Sequence, residues 1–183
     1  MTFEITPADW SGFQIVMGPK GGCGGCWCRL WRVPKKVHDA DKGDGNRDAM
    51  RALFDSGAVP GLLAMDGATP VGWISVAPRT EFPRLKASRI LQPVDDLPVW
   101  SVSCFLVMPP YRRQGLSVHL LQAACAFASE RGAPAIEGYP IDGKDKYPPV
   151  YGWTGFAGAY RSAGFTEIAR RSRTRPIMRK SLD

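Results

Sequence analysis

The stretch best suited to chemistry runs from residue 107 to residue 117, where the chain reads VMPPYRRQGLS. It places a basic pair, Arg112 and Arg113, just before Gly115 and an apolar run. Backbone N–H groups at the start of a helix lack partners and lie at its positive end. A glycine there lets an anion approach those donors closely, and the arginines add charge-assisted hydrogen bonds. The spacing therefore predicts a cradle for a phosphate or diphosphate group.

A strand and a helix are predicted on the two sides of this cradle. The run Trp100–Val107, WSVSCFLV, is rich in aromatic and β-branched residues and too short for a helix, which indicates a buried strand. Pro109 and Pro110 end it. After the turn, apolar residues recur every three or four positions as far as Gly132, which predicts an amphipathic helix with Gly115 in its first turn.

Two motifs resemble those of a known family. The pattern V-x-P-x-Y-R-x-x-G-x-S resembles the acetyl-CoA-binding signature of the GCN5-related N-acetyltransferases (GNAT family), whose core is R/Q-x-x-G-x-G/A. Its residues here are Val107, Pro109, Tyr111, Arg112, Gly115 and Ser117. Ser117 departs from the family, because the last position is usually Gly or Ala. Further along, YRSAGF at 160–165 resembles the family's Y-x-x-x-G-F element.

The resemblance implies a fold and a cofactor. It covers residues from about 59 to 165 and implies one α/β (α+β) domain over 1–183, with a core at 59–182 and a family-variable part at 1–58. The implied sheet is mixed, mostly antiparallel, flanked by helices and splayed after the strand ending at Val107. The implied cosubstrate is acetyl-CoA, with no metal. The implied binding residues are Phe105, Leu106, Val107, Arg112, Arg113, Gln114, Gly115, Leu116 and Ser117, where a backbone N–H of 105–107 polarises the thioester carbonyl.

The implied reaction moves an acetyl group from acetyl-CoA to a primary amine of a small-molecule acceptor, by direct attack on the thioester. The departing thiolate needs a proton, and the amine must lose one. The matched element implies Tyr160 as the donor, because the ordinary phenol pKa of about 10 suits that role; packing is the alternative. Glu137 lies in the apolar run AIEGY, where a carboxylate is costly to bury unless paired or functional. It is predicted as the proton acceptor, with a structural arginine ion pair or a solvent-facing position as the alternatives.

Two other functions stay open: an acyl-CoA-binding regulator without catalysis, and an acetyltransferase acting on aminoacyl-tRNA or protein. The formal net charge of +7 favours anionic partners. Much of it comes from a C-terminal group of six basic residues: Arg170, Arg171, Arg173, Arg175, Arg179 and Lys180. No stacking platform of aromatic residues accompanies them, which favours solvated edge-strand charges over a nucleic-acid partner.

Cys23, Cys26 and Cys28 form a C-x-x-C-x-C pattern that the resemblance does not explain. Such spacing is compatible with zinc or redox chemistry, with His38 as a fourth ligand. A tetrahedral site normally shows two ligand pairs and only one is present, so no metal is predicted and packing beside the substrate slot is favoured. Metal binding, redox activity and a covalent cysteine intermediate stay as alternatives. Cys104 and Cys125 are predicted to be core residues.

Composition predicts one globular domain. The 183 residues are 44% hydrophobic, which suits a single substantial core. No apolar run approaches the ~20 residues that span a bilayer, and the N-terminus shows no signal-like core. The expectation is a cytoplasmic protein without a membrane partner, as a monomer or homodimer.

The remaining elements follow from local patterns. They are a helix capped by Thr6 and reaching about Phe13, a glycine-rich connector GPKGGCGGC, a strand at 26–33, a polar loop at 35–46, a helix at 46–54, a hairpin turning at 67–70, a strand at 135–139, a helix at 156–163, and strands at 165–171 and 177–182. Aromatic residues are predicted around the acceptor site, where they favour an apolar or cationic acceptor. They are Trp27, Trp31, Tyr139, Tyr147, Tyr151 and Trp153.

Overall fold

The computed structural model describes residues 3–143 and 152–182. The strands are β1 (Glu4–Pro7), β2 (Gly61–Asp66), β3 (Thr69–Pro78), β4 (Trp100–Val107), β5 (Ala135–Gly138), β6 (Thr166–Arg170) and β7 (Pro176–Ser181). The helices are α1 (Trp10–Met17), α2 (Lys35–Ala40), α3 (Asp44–Asp55), α4 (Pro83–Ala87), α5 (Leu116–Ser129) and α6 (Ala157–Ser162). Within these ranges, no helix is long and apolar enough to cross a membrane.

The strands form one seven-stranded sheet in the order β1-β2-β3-β4-β5-β7-β6. Every neighbouring pair is antiparallel except β4 and β5, which are parallel. The predicted mixed, mostly antiparallel sheet is therefore confirmed.

The sheet splays apart between its two parallel strands. β4 pairs with β5 only over Trp100–Val102, opposite Ile136–Gly138. Beyond that point, the Phe105 N–H donates to the Trp153 carbonyl at 2.6 Å instead of to β5. β4 nevertheless continues to Val107 against β3. This geometry confirms the splay that the resemblance implied and opens a slot through the sheet.

Helices cover both faces of the sheet because successive apolar residues of a strand point to opposite faces, so that both faces need to be covered. Leu62 and Ile74 belong to the core under α5, whose Leu120 and Leu121 are fully buried. Their neighbours on the strands, such as Trp73, belong to the second core, under α1 and α3. Burying each such side chain contributes about 1.5–3 kcal/mol, so the two cores fix β4 from both sides.

The start of the first helix was predicted wrongly. Thr6 and Pro7 lie in β1, which pairs antiparallel with β2, and Asp9 is the N-cap. The Gly12 N–H donates to Asp9 Oδ1 at 2.7 Å, so a carboxylate and not the threonine satisfies the first turn. The proline is tolerated because β1 is an edge strand.

Two predictions between β1 and β2 were also wrong. Residues 26–33 form turns, not a strand, because Trp27 and Cys28 adopt left-handed backbone angles with φ of 47° and 59°. Residues 35–40 form α2, not a polar loop. The predicted helix at 46–54 is confirmed as part of α3, and the hairpin of β2 and β3 is confirmed as well.

Candidate functional site

The predicted cradle lies at the start of α5. Gly115 is the N-cap of this helix, with a left-handed φ of 78°, and so precedes the first turn in which it was predicted. No side chain in the described parts of the chain caps the helix, and a Cβ built on Gly115 would meet no atom within 4 Å. The first-turn N–H groups therefore face open space, as an anion site at a helix start requires.

Side chains of the preceding turn hold the backbone of the cradle. Arg112 Nε donates to the Val107 carbonyl at 2.9 Å, and Gln114 Nε2 donates to the Pro110 carbonyl at 2.8 Å. Arg113 is exposed and adopts a positive φ of 61°. The turn thus keeps two guanidinium groups beside the helix start, where they add positive charge.

One cavity of about 830 Å³ runs from this cradle through the slot. Its size falls within the range of small-molecule and cofactor sites. On the cradle side its wall includes eight of the nine predicted binding residues: Phe105, Leu106, Val107, Arg112, Arg113, Gly115, Leu116 and Ser117. The ninth, Gln114, is directed to the Pro110 carbonyl. On the other side the wall includes Met17, Cys26, Cys28, Leu30, Trp31, His38 and Cys104.

The resemblance implied two hydrogen-bond donors, the Phe105 N–H and the Tyr160 hydroxyl. Both donate to carbonyls of consecutive residues. The Trp153 carbonyl accepts from the Phe105 N–H at 2.6 Å, and the Thr154 carbonyl accepts from the Tyr160 hydroxyl at 3.2 Å. Tyr160 is 0% exposed, and its ring packs behind the cavity residues Phe105 and Gly155. Burial raises the pKa of Tyr160 well above its ordinary value, so the phenol stays protonated.

Glu137 lies on β5, is 1% exposed, and is held by two arginines. Its Oε1 accepts from Arg179 Nε and Nη2 at 3.0 and 2.6 Å. Its Oε2 accepts from Arg79 Nη1 at 3.0 Å and from the Tyr139 hydroxyl at 3.1 Å. Four accepted bonds fill the acceptor positions of a carboxylate. These contacts correspond to the ion-pair alternative of the sequence analysis.

The cysteines separate into different environments. Cys23 is exposed, Cys26 is half-buried and Cys28 is buried. Over residues 3–143 and 152–182, no group of three or more His, Cys, Asp or Glu side chains is arranged to hold a metal ion. Cys28 instead receives a hydrogen bond from Trp73 Nε1 at 3.3 Å. Cys104, predicted to be core, lies beside it on the cavity wall.

Sequence reasoning missed this pairing of Cys28 with Cys104. One signal was present, since Cys104 precedes Phe105 on a strand and must point to the opposite face of the sheet. The opposite face of β4 carries the acceptor side of the slot. The position of Cys28 had no such signal, because its turn depends on left-handed backbone at two residues that are not glycine.

The predicted aromatic residues divide between the cavity and the core. Trp31 and Trp153 both line the cavity, with ring centroids 6.0 Å apart. Trp27 packs with Trp10 in the core under α1, and Tyr139 belongs to the Glu137 network. Tyr147 and Tyr151 lie outside the described residues.

The basic C-terminal group is largely engaged within the protein. Arg170 pairs with Glu167 and Asp142, and Arg179 pairs with Asp95 and Glu137. Arg171, Arg175 and Lys180 donate to backbone carbonyls. Five of the six residues in the group thus serve internal contacts.

Comparison with known families identifies the family of this chain. The model of the GNAT acetyltransferase family matches residues 27–139, which include β2 to β5 and the cradle. The chain belongs to the GNAT acetyltransferase family. It is therefore an acyltransferase by family. A comparison with curated protein sequences finds no match.

Solved acetyltransferase structures share the fold at low sequence identity. PaiA N-acetyltransferase from Thermoplasma acidophilum, in complex with coenzyme A, is 13% identical, with 99% of each chain covered and a TM-score of 0.58. YncA from Salmonella typhimurium, with its cofactor acetyl-CoA, is 15% identical, covers 100% of this chain and 95% of its own, and has a TM-score of 0.58. An N-acetyltransferase from Staphylococcus aureus Mu50 is 10% identical over 100% of both chains, with a TM-score of 0.60.

Proposed function

We propose that this protein transfers the acetyl group of acetyl-CoA to a primary amine of a small molecule. The observation that carries the proposal is the single cavity that joins an open helix start, a splayed pair of strands and an aromatic wall. The helix start suits a diphosphate, the slot suits the pantetheine arm, and the far wall suits an acceptor. The coenzyme A and acetyl-CoA found with two acetyltransferase structures of the same fold support this assignment.

Two observations favour a small acceptor over a macromolecule. The acceptor side of the cavity is lined by the rings of Trp31 and Trp153, whose centroids lie 6.0 Å apart, and two such rings suit a small group. The basic surface that a tRNA-directed enzyme would use is occupied by ion pairs such as Arg170 with Asp142. Aromatic walls favour an acceptor with an apolar or cationic part.

Acetyl transfer requires the segment at residues 152–155 to release its two bonds. The Phe105 N–H then polarises the thioester carbonyl, and the Tyr160 hydroxyl protonates the departing thiolate. Because the Trp153 and Thr154 carbonyls are consecutive, one displacement of this segment frees both donors. Thr154 is also held by Arg175 Nη1 at 3.1 Å, which limits how far it moves.

The direct test is release of coenzyme A thiol from acetyl-CoA in the presence of amines, amino acids and aminoglycosides. We expect acetylation of at least one small primary amine. Binding of coenzyme A with no thiol release from any amine would instead indicate a regulator. Tight, steeply salt-dependent RNA binding together with acetylation of aminoacyl-tRNA would indicate a macromolecular acceptor.

Tyr160→Phe tests the proton donor. We expect kcat to fall by about 100-fold, because a positioned acid contributes on the order of 10²–10⁴-fold. The affinity for coenzyme A should not change, since the hydroxyl donates to the Thr154 carbonyl and not to the backbone of the cradle. An unchanged kcat would show that the hydroxyl serves only to hold Thr154.

A further inference from the structure

The charged side chains that the structure describes on the cavity wall are all cations. Arg112 and Arg113 lie on the cradle side, and Lys42 lies on the acceptor side, in the turn between α2 and α3. Charges that line a cavity attract an entering anion and repel an entering cation. The acceptor side therefore favours an anionic group on the acceptor molecule, separately from the anion that the cradle suits.

A glycine-rich loop lies between β4 and the Lys42 ammonium. A Cβ built on Gly22 would be 3.6 Å from Leu106 Cδ1, so this end of the loop lies against β4. Two residues further on, a Cβ built on Gly24 would be 3.7 Å from Lys42 Nζ. Two residues span at most about 7 Å. β4 and the ammonium therefore border the same part of the acceptor side.

The Lys42 ammonium makes no hydrogen bond or ion pair within the parts of the chain that the structure describes. The carboxylates nearest to it in the sequence are engaged by other cations. Asp39 pairs with Lys35, and Asp41 Oδ2 accepts from Arg29 Nη1 at 2.6 Å. An ammonium left unpaired on a cavity wall suits a carboxylate of the bound molecule, because a hydrogen bond between two charged groups is a strong one.

A guanidinium group lies over each of the two tryptophan rings on this side of the cavity. Arg84 Cζ is 5.6 Å from the ring centroid of Trp31, and Arg175 Cζ is 5.7 Å from that of Trp153. A ring that already attracts one cation gains little from a second, because the two cations repel each other. Of the apolar and cationic groups that an aromatic wall can bind, these arginines therefore favour an apolar one.

Hydrogen bonds fix both of these guanidinium groups in place. Arg84 Nη1 donates to the Leu30 carbonyl at 3.2 Å. Arg175 Nη1 donates to Thr154 Oγ1 at 3.1 Å and to the Tyr139 carbonyl at 3.3 Å. Their positive charge therefore belongs to the aromatic part of the site, and does not come from side chains that turn freely into solvent.

The same charges suit an acceptor that attacks as a neutral amine. Nearby cations disfavour the ammonium form, which cannot attack the thioester. Glu137, predicted as the proton acceptor, has its acceptor positions filled by Arg79, Arg179 and Tyr139. A carboxylate on the acceptor would by itself hold the proton on its amine, and pairing that carboxylate with Lys42 offsets this effect.

We propose, on the basis of the proposed function, that the acceptor is an amine that also carries a carboxylate, as an amino acid with an apolar side chain does. Lys42 binds the carboxylate, and the rings of Trp31 and Trp153 contact the apolar part. Polyamines and aminoglycosides are poor acceptors, because Lys42, Arg84 and Arg175 repel their additional ammonium groups. Lys42 thus determines specificity and takes no part in bond formation.

The experiment compares amino acids with their amides in the unaltered protein and in Lys42→Gln. Leucine, methionine and phenylalanine are each paired with the amide of the same acid, and thiol release from acetyl-CoA is measured. An acid and its amide differ in the pKa of the amine, so the quantity compared is the factor by which the substitution raises KM. This factor should be about tenfold larger for each acid than for its amide, as for the loss of one charged hydrogen bond, while kcat stays within a few-fold.

The matched control is Lys20→Gln. Lys20 is exposed just before the same glycine-rich loop, has no side-chain partner among the described residues and lies outside the cavity wall. Removing its charge should change KM for an acid and for its amide by the same factor. An equal change for acid and amide in Lys42→Gln as well would overturn the role of Lys42.

The acceptor class is tested by kcat/KM, expressed per neutral amine, across the amino acids, their amides, spermidine and an aminoglycoside. We expect the amino acids to have the highest values. Higher values for spermidine, for the aminoglycoside or for the amides would overturn the acceptor class but leave acetyl transfer to a small amine intact. Thiol release with none of these amines or any other would overturn the proposed function itself.

Discussion

Gly115→Glu should weaken coenzyme A binding by at least about 100-fold, which corresponds to about 2.7 kcal/mol. Gly115 caps α5 with a left-handed φ of 78°, and the space in front of its Cα is open. A glutamate there places a negative charge among the helix N–H groups that would otherwise receive the diphosphate. Titration of the variant with coenzyme A in a calorimeter measures the effect.

The matched control is Gly132→Glu. Gly132 follows the other end of α5, has a φ of 77°, and also has nothing within 4 Å of a built Cβ. Both substitutions carry a similar backbone strain of about 1–2 kcal/mol, so their melting temperatures should fall together. Only Gly115→Glu should lose coenzyme A. Equal affinity in the two variants would show that the start of α5 does not bind the diphosphate.

Glu137→Gln should lower the free energy of unfolding by about 3 kcal/mol. Removing one partner of a buried ion pair leaves uncompensated charge and costs about 3–5 kcal/mol. Here two guanidinium groups lose their carboxylate, but Arg179 keeps its bonds to Asp95 at 2.6 and 2.9 Å, so the lower end applies. Urea unfolding followed by tryptophan fluorescence measures the change.

The control for this variant is Glu167→Gln, the same change in the exposed pair of Glu167 with Arg170. An exposed ion pair contributes about 0–1 kcal/mol, so little stability should be lost.

Measuring catalysis separates the structural role of Glu137 from a role in proton transfer. The folded fraction of Glu137→Gln should keep its kcat within a few-fold, whereas a fall in kcat of about 100-fold or more, as expected for a missing base, would show that Glu137 acts in proton transfer.

The sequence predicted the elements whose signals are local. Trp100–Val107 became β4 because its β-branched and aromatic residues favour a strand whatever the surroundings. The sequence predicted Gly115 at the cradle because a basic pair and a glycine, followed by apolar residues at helical spacing, are typical of a helix start. The resemblance added what periodicity does not contain, which is the splay of β4 from β5.

The sequence did not predict features that depend on distant partners. AIEGY indicated a costly buried carboxylate, but Arg79 reaches Glu137 from the turn after β3 and Arg179 reaches it from β7. Thr6 and Asp9 are both good helix caps, and the pairing of Thr6 with β2 decided between them. The contact of Cys28 with Cys104 arises from a turn in left-handed backbone, for which residue propensities give no signal.

Calorimetric titration of the unaltered protein with coenzyme A and with S-acetylpantetheine, which lacks the diphosphate, tests the cradle at the start of α5 most directly. We expect one coenzyme A to bind per chain and the pantetheine compound to bind at least about 100-fold more weakly, a difference of about 2.7 kcal/mol. Equal affinity for the two compounds, or no heat with coenzyme A, would contradict the cradle and the function built on it.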